Sequence, residues 1–250
     1  MAKLTPAQRQ DRLRFDYLVV SKMQSPFMSV TAYRSVEEMK ARRNPIGSRD
    51  EGHLALHYIA DYKIKTLIGE DRYSSGTSIH FDLLAKGDYP FSEPNCWVIS
   101  NDIPWTPHFT KGETVCLGEI WKESKGSMLL GHLLVHVAKL LNFDEIPRSP
   151  NYNGYNGAAV RYWRTKLNMQ PITPGLAYPV LPDIDELLSG GDNAFKPKAP
   201  GLAASDIFQA KSVVQPLNNV FQARQANPAD RQPQAMPTSS VFAPSPRKNQ

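Results

Sequence analysis

The groups in this chain best equipped for covalent chemistry are its thiols. Only two cysteines occur, Cys96 and Cys116, with no Cys-x-x-Cys and no ladder of spacings that would make a disulfide framework or a structural zinc site. At least one is therefore free to act as a nucleophile. Cys96 lies inside an apolar stretch and reads as a small buried hydrophobe. Cys116, flanked by Val115 and Leu117, admits both a core reading and a catalytic one. His132 and His136 stand four positions apart, the spacing of two metal ligands on one helix face. With Lys139 on the same stripe and no glutamate between the histidines, a solvated helix face is the favoured reading, and no metal or other cofactor is expected.

These side chains need a scaffold, and 250 residues, 41% hydrophobic, suffice for one ordinary domain with an appendage. No apolar run reaches the roughly 20 residues that cross a bilayer, and the first residues turn charged before any signal-peptide core forms, so a soluble, cytoplasmic protein is expected. A net charge of +5 is modest and spread out. Without a basic stripe and interleaved aromatics, nucleic acid is not an expected partner.

Hydrophobic spacing predicts an amphipathic helix over residues 12–23, with Leu13, Tyr17 and Val20 inward and Arg9, Arg12, Arg14 and Lys22 toward solvent. A short helical piece and a loop follow over residues 37–52. Strand patterns cover residues 54–62, 62–68, 78–84 and 96–100, with 70–76 as a hairpin connection. Four antiparallel strands in a meander are the simplest assembly. Past Cys116, Leu129, Leu130, Leu133, Leu134, Val137, Leu140 and Leu141 form a buried helical stripe with Ser127 as its N-cap, and a last helix covers residues 157–167. The Asn/Gly/Tyr-rich residues 151–155 can be a flexible linker between these helices. The expected class is α+β: N-terminal helix, four-stranded antiparallel meander, active-site loop, C-terminal helices.

Composition changes near Pro171, where Pro, Gly, Ala, Gln, Asn and Ser take over. Residues 1–170 are expected to form the catalytic domain and 171–250 a disordered tail. Within the tail, Asp206-Ile207-Phe208-Gln209-Ala210-Lys211 is echoed by Asn219-Val220-Phe221-Gln222-Ala223-Arg224, with weaker cousins around Phe195 and Phe242. Such repeats are either a multivalent docking motif or an accident of biased composition.

Tyr89-Pro90-Phe91, then Pro94, Pro107-His108, Val115-Cys116-Leu117-Gly118, and Asn156-Gly157-Ala158-Ala159 before Tyr162 and Trp163, resemble in order and spacing the ubiquitin-conjugating enzyme family. That family has a Tyr-Pro-Phe-x-x-Pro turn, a His-Pro-Asn motif and a catalytic cysteine nine residues after the proline of that motif, as Cys116 is from Pro107. The resemblance covers roughly residues 5–168. It is strongest to compact bacterial members encoded with an activating enzyme, a ubiquitin-like modifier and a metallopeptidase in antiviral operons.

The resemblance implies that Cys116 receives a ubiquitin-like protein as a thioester from an activating enzyme, which consumes the ATP, and passes it to an amine of a protein acceptor. A thiolate serves both steps as nucleophile and leaving group. An ordinary thiol, near pKa ~8.5, is adequate for the exchange. Aminolysis passes through an oxyanion, and a lost donor to such a centre costs about 3 to 4 kcal/mol elsewhere. His108 stands where the family has its asparagine, as oxyanion donor or loop holder, and Thr106 replaces the family's histidine. Asp144 and Glu145 match the region whose carboxylate orients the incoming lysine. Arg9, Arg12 and Arg14 lie where the activating enzyme docks, although a solvated charged face explains them equally well. Tyr89, Pro90 and Phe91 are structural. Two other readings stand beside this one: a non-catalytic variant acting as a binding or scaffold module, and a thiol hydrolase that removes a modifier.

Overall fold

A computed structural model of the chain describes residues 4–84, 87–110, 113–117, 120–124, 126–189, 195 and 197. The Phe-centred segments around Phe208, Phe221 and Phe242 lie outside the described residues. The elements run α1 (Pro6–Lys22), β1 (Met28–Tyr33), α2 (Val36–Ala41), β2 (His57–Tyr62), β3 (Thr66–Gly69), β4 (Arg72–Ser74), β5 (Thr77–Asp82), β6 (Asn95–Val98), α3 (Ile120–Ser124), α4 (Leu130–Leu141), α5 (Gly157–Thr165) and α6 (Ile184–Ser189). The result is an α+β fold with an N-terminal helix and a four-stranded antiparallel sheet.

The sheet order is β1-β2-β5-β6, and β3 and β4 form a separate hairpin between β2 and β5. The register runs from Met28 opposite Tyr62, through His57 opposite Asp82, to Ile79 opposite Val98. Alternation then decides the faces. Met28, Ala32, Tyr58, Ala60, Tyr62, Ile79, Phe81, Cys96 and Val98 join the main core with α1 and α4. Tyr33 and Ile59 turn outward and are covered by Val36 and Met39 of α2. The pattern read over residues 62–68 divides: Tyr62 ends β2, and only Thr66–Gly69 makes β3. The first strand of the sheet, β1, is not among the strand patterns read from the sequence, although Val30, Thr31 and Tyr33 are strand-favouring residues.

Helix α1 begins earlier than its apolar period suggests. Thr5 caps it: its hydroxyl accepts from the Gln8 N–H at 3.3 Å, while the Gln8 side chain accepts from the Thr5 N–H at 2.7 Å, and Pro6 fills the first turn. Leu13, Tyr17 and Val20 enter the main core as expected, but every residue from Asp11 to Val20 is buried. Phe15, Leu18 and Val19 meet Leu129, Leu187 and Phe195 on the opposite side. A helix covered on both sides has little amphipathicity for a periodicity reading to find.

That covering corrects the placement of two arginines. Arg12 is fully buried: its Nε donates to Asp16 at 2.8 Å, and its two terminal nitrogens donate to the carbonyls of Gly126, at 2.6 Å, and Met128. Burial opposes its charge, yet Asp16 and Tyr89 beside it raise the pKa above the ordinary arginine value. Asp16 also accepts from the Tyr89 hydroxyl at 2.6 Å and from the Leu130 N–H at 2.9 Å. The last bond supplies the N-terminal cap of α4 that was expected from Ser127; Leu129 occupies the cap position with no side-chain bond of its own. Trp121 donates to the Pro90 carbonyl at 3.1 Å, so the Tyr-Pro-Phe turn ties α1, α3 and the start of α4 together. Arg14 is buried too, paired with Asp11. Arg9 alone of the three is partly exposed, with Asp88 at 3.4 Å.

The packed region continues past the compositional boundary at Pro171. The Asn142 side chain accepts from the Thr173 N–H at 2.8 Å and donates to the Thr173 carbonyl at 3.0 Å and the Tyr178 hydroxyl at 2.8 Å. Val180 and Gln24 exchange two backbone hydrogen bonds, after which α6 and Phe195 cover α1. The expectation of disorder from residue 171 is corrected for residues 171–189. Their ordering depends on single anchoring side chains with no regular period, so composition alone misreads them.

Candidate active site

A hairpin gives the spacing from Pro107 to Cys116 its meaning. Phe109 and Val115 form an antiparallel bridge, the Thr110 N–H donates to the Thr114 carbonyl at 3.0 Å, and the Cys116 N–H donates to the His108 carbonyl at 2.7 Å. The two residues therefore face each other across the hairpin. Its second arm is attached to the sheet, with Val115 N–H donating to Cys96 O and Val98 N–H to Glu113 O, both at 2.9 Å. Val115 and Leu117 point into the core, while Cys116 between them is half-buried. Cys96 is buried with its thiol 3.6 Å from the Pro94 carbonyl, in keeping with the core reading.

Thr106 is buried, and its hydroxyl accepts from the His108 N–H at 3.4 Å, which fixes the turn before the histidine. The His108 Nε2 is 2.9 Å from the Tyr152 hydroxyl, and the two rings stack at 5.9 Å between centroids. Burial and the nearby His136 lower His108 to a pKa of about 4, against smaller opposing effects from the Cys116 backbone and Glu145. At neutral pH the ring is uncharged, so one nitrogen carries a proton and the other a lone pair. The bond to Tyr152 engages one of them and favours the loop-holding role for His108.

Residues 151–155, which can be read from sequence as a linker, are built into the site. The Tyr155 N–H donates to the Pro107 carbonyl at 2.9 Å, and Arg164 from α5 grips the carbonyls of Ser149 and Tyr152 at 2.7 and 2.8 Å. Gly154 has a φ of +58°, and a Cβ there would come within 2.8 Å of the Pro107 carbonyl, so glycine is what permits the approach. Tyr152 is the residue of this candidate site that the sequence reading missed. Burial raises its phenol pKa, with Cys116 a lesser cause.

Of the two carboxylates, Glu145 has little exposure and both of its oxygens are taken, by His136 Nδ1 at 2.6 Å and Lys139 Nζ at 2.5 Å. Burial would raise its pKa, but these two partners hold it below the ordinary carboxylate value. His136 is buried, correcting the solvated-face reading of this helix stripe, and its Nε2 has no hydrogen-bond partner. Asp144 is exposed and accepts from the Tyr178 hydroxyl at 2.7 Å. Among the described residues no cluster of histidine, cysteine and carboxylate side chains has the grouping of a metal site, and no helix is long and apolar enough to cross a membrane.

No family model matches the sequence, and no curated protein matches it. Among solved structures the fold is similar to S. cerevisiae Ubc12, at 13% identity over 78% of this chain and 90% of that one, with a TM-score of 0.38. A superposition that loose carries no weight, and the functional reading rests on the chain's own residues.

Proposed function

We propose that the chain is a ubiquitin-conjugating-type transferase that carries a ubiquitin-like protein as a thioester on Cys116. The observation that supports this most is the hairpin that holds a half-buried Cys116 opposite His108, with Tyr152 braced over the same loop. In the loading step the Cys116 sulfur attacks the thioester carbonyl of the modifier on the activating enzyme. The carbon–sulfur bond to that enzyme breaks, and its thiolate takes up the proton that Cys116 gives up. No metal or cofactor takes part on this subunit.

In the discharge step a neutral amine of the acceptor protein attacks the same carbonyl, the carbon–sulfur bond breaks, and the leaving Cys116 thiolate takes up the proton that the amine gives up. Asp144, exposed in the turn after α4, is the carboxylate assigned to the incoming amine. Glu145, with both oxygens engaged, positions His136 and Lys139 beneath the loop. His108 holds the loop with Tyr152, and the N–H of its neutral ring or the Tyr152 hydroxyl supplies the donor to the oxyanion.

The test is a non-reducing gel of this chain with activating enzyme, modifier and ATP. The expected adduct is lost to reductant in the native chain, absent in Cys116→Ala and resistant to reductant in Cys116→Ser. No adduct, with the partners shown to be active, returns the chain to a binding or scaffold module. Release of free modifier without an adduct points to a hydrolase.

A further inference from the structure

Phe195 lies beyond the conjugation site and has a seat of its own. Its side chain is buried, and its ring meets Phe15 edge-on, 5.1 Å between centroids at 73°. Leu18, Val19, Leu129 and Leu187 complete the seat. The Phe195 N–H donates to the Leu187 carbonyl at 2.7 Å, and the Arg14 guanidinium lies 5.7 Å from the ring centroid. An aromatic ring, a backbone carbonyl that accepts from the incoming residue's N–H, and a cation over the incoming ring make up a defined recognition of one residue.

The sequence offers that residue more than once. Asn193-Ala194-Phe195 is followed by Asp206-Ile207-Phe208 and Asn219-Val220-Phe221, each with Asp or Asn two positions before the phenylalanine and a lysine or arginine within three positions after it. The three rings fall at a constant interval, since 208 − 195 and 221 − 208 are both 13. Biased composition does not generate an interval, whereas duplication of a functional unit does. Phe242 lies outside this period and lacks the preceding Asp or Asn.

We propose that the α1 seat is a docking site for this repeated motif, and that the segments centred on Phe208 and Phe221 are further occupants that exchange with Phe195 within the same chain. The first spacer, residues 196–207, is rich in Pro, Gly, Ala and Ser, and spacers of this length hold each copy at an effective concentration near the millimolar range, so loss of one occupant is answered by the next.

Thermal melts of the full chain test this. Phe208→Ala/Phe221→Ala leaves the melting temperature unchanged while Phe195 is present, but lowers it further when added to Phe195→Ala. In parallel, a labelled peptide of residues 204–212 binds the Phe195→Ala/Phe208→Ala/Phe221→Ala chain, binds Phe195→Ala alone more weakly, and loses about tenfold or more in affinity when its own Phe208 is alanine. The proposal is overturned if the tail substitutions have no effect in the Phe195→Ala background. It is also overturned if the triple variant binds a peptide of residues 191–199 but not that of 204–212, because the seat then belongs to Phe195 alone.

Discussion

At the scale of single residues, the proposed transfer divides the work between the half-buried Cys116 and the neutral His108. The sulfur provides the bond, and the imidazole, lowered to about 4, gives the loop a rigid uncharged partner over the neutral pH range. Tyr152 bonds to His108 at 2.9 Å, and the Cys116 N–H donates to the His108 carbonyl at 2.7 Å, so His108 joins the two. Tyr152→Phe keeps the ring stack and removes only the hydroxyl. The expected result is unchanged loading of the modifier and a roughly tenfold slower discharge to free lysine, the worth of one neutral hydrogen bond felt in the second step. Single-turnover gels that follow loading and discharge separately check it; an equal loss in both steps would assign Tyr152 to the fold instead. Cys116 was singled out in the sequence by its distance from Pro107, and the hairpin sets it opposite His108. Tyr152 was not, because its role depends on Gly154 letting a distant loop close on Pro107, and no local pattern encodes that approach.

Among the elements, a buried charged knot joins α1 to the start of α4. Arg12 and Asp16 lie one helical turn apart, and between them they satisfy the carbonyls of Gly126 and Met128, the N–H of Leu130 and the hydroxyl of Tyr89. Arg12→Met strands a buried carboxylate and two carbonyls, with an expected loss of about 3 to 5 kcal/mol. Arg9→Met breaks only the partly exposed contact with Asp88 and is expected to cost under about 1 kcal/mol. Urea unfolding of the two variants checks the contrast, and equal small losses would restore the solvated-face reading of all three arginines. Strands β2, β5 and β6 were readable from alternation and α4 from its leucines, whereas β1 was not read. The true extent of α1 and the cap of α4 were not, because Asp16 acts across more than a hundred residues and both sides of α1 are apolar.

For the whole molecule, two histidines make acid stability a readout of the packing. His80, fully buried on β5 beside His57 and Trp97, and His108 both fall to about 4, burial being the main cause and a neighbouring histidine the next. Below the ordinary histidine value of about 6.5 the unfolded chain takes up these protons while the folded chain does not. Stability present above that pH is therefore lost as pH falls toward 4, by about 3 kcal/mol for each group. Denaturant unfolding at pH 7, 5.5 and 4 should show the fall, and His108→Asn should reduce it; a flat profile would contradict the burial of both rings. The order of helix, sheet, cysteine arm and helices was legible along the chain, since most of these elements carry their own period, β1 excepted. The packing of residues 172–189 and Phe195 was not, since it hangs on Asn142, Tyr178, Leu187 and Phe195 individually.

The most direct measurement is the intact mass of the chain after incubation with activating enzyme, modifier and ATP, followed by digestion to locate the adduct. A mass increase of one modifier less one water, released by hydroxylamine and mapped to the peptide containing Cys116, is the predicted result. An adduct on Cys96, or no adduct from active partners, would contradict the assignment of Cys116 as the carrier.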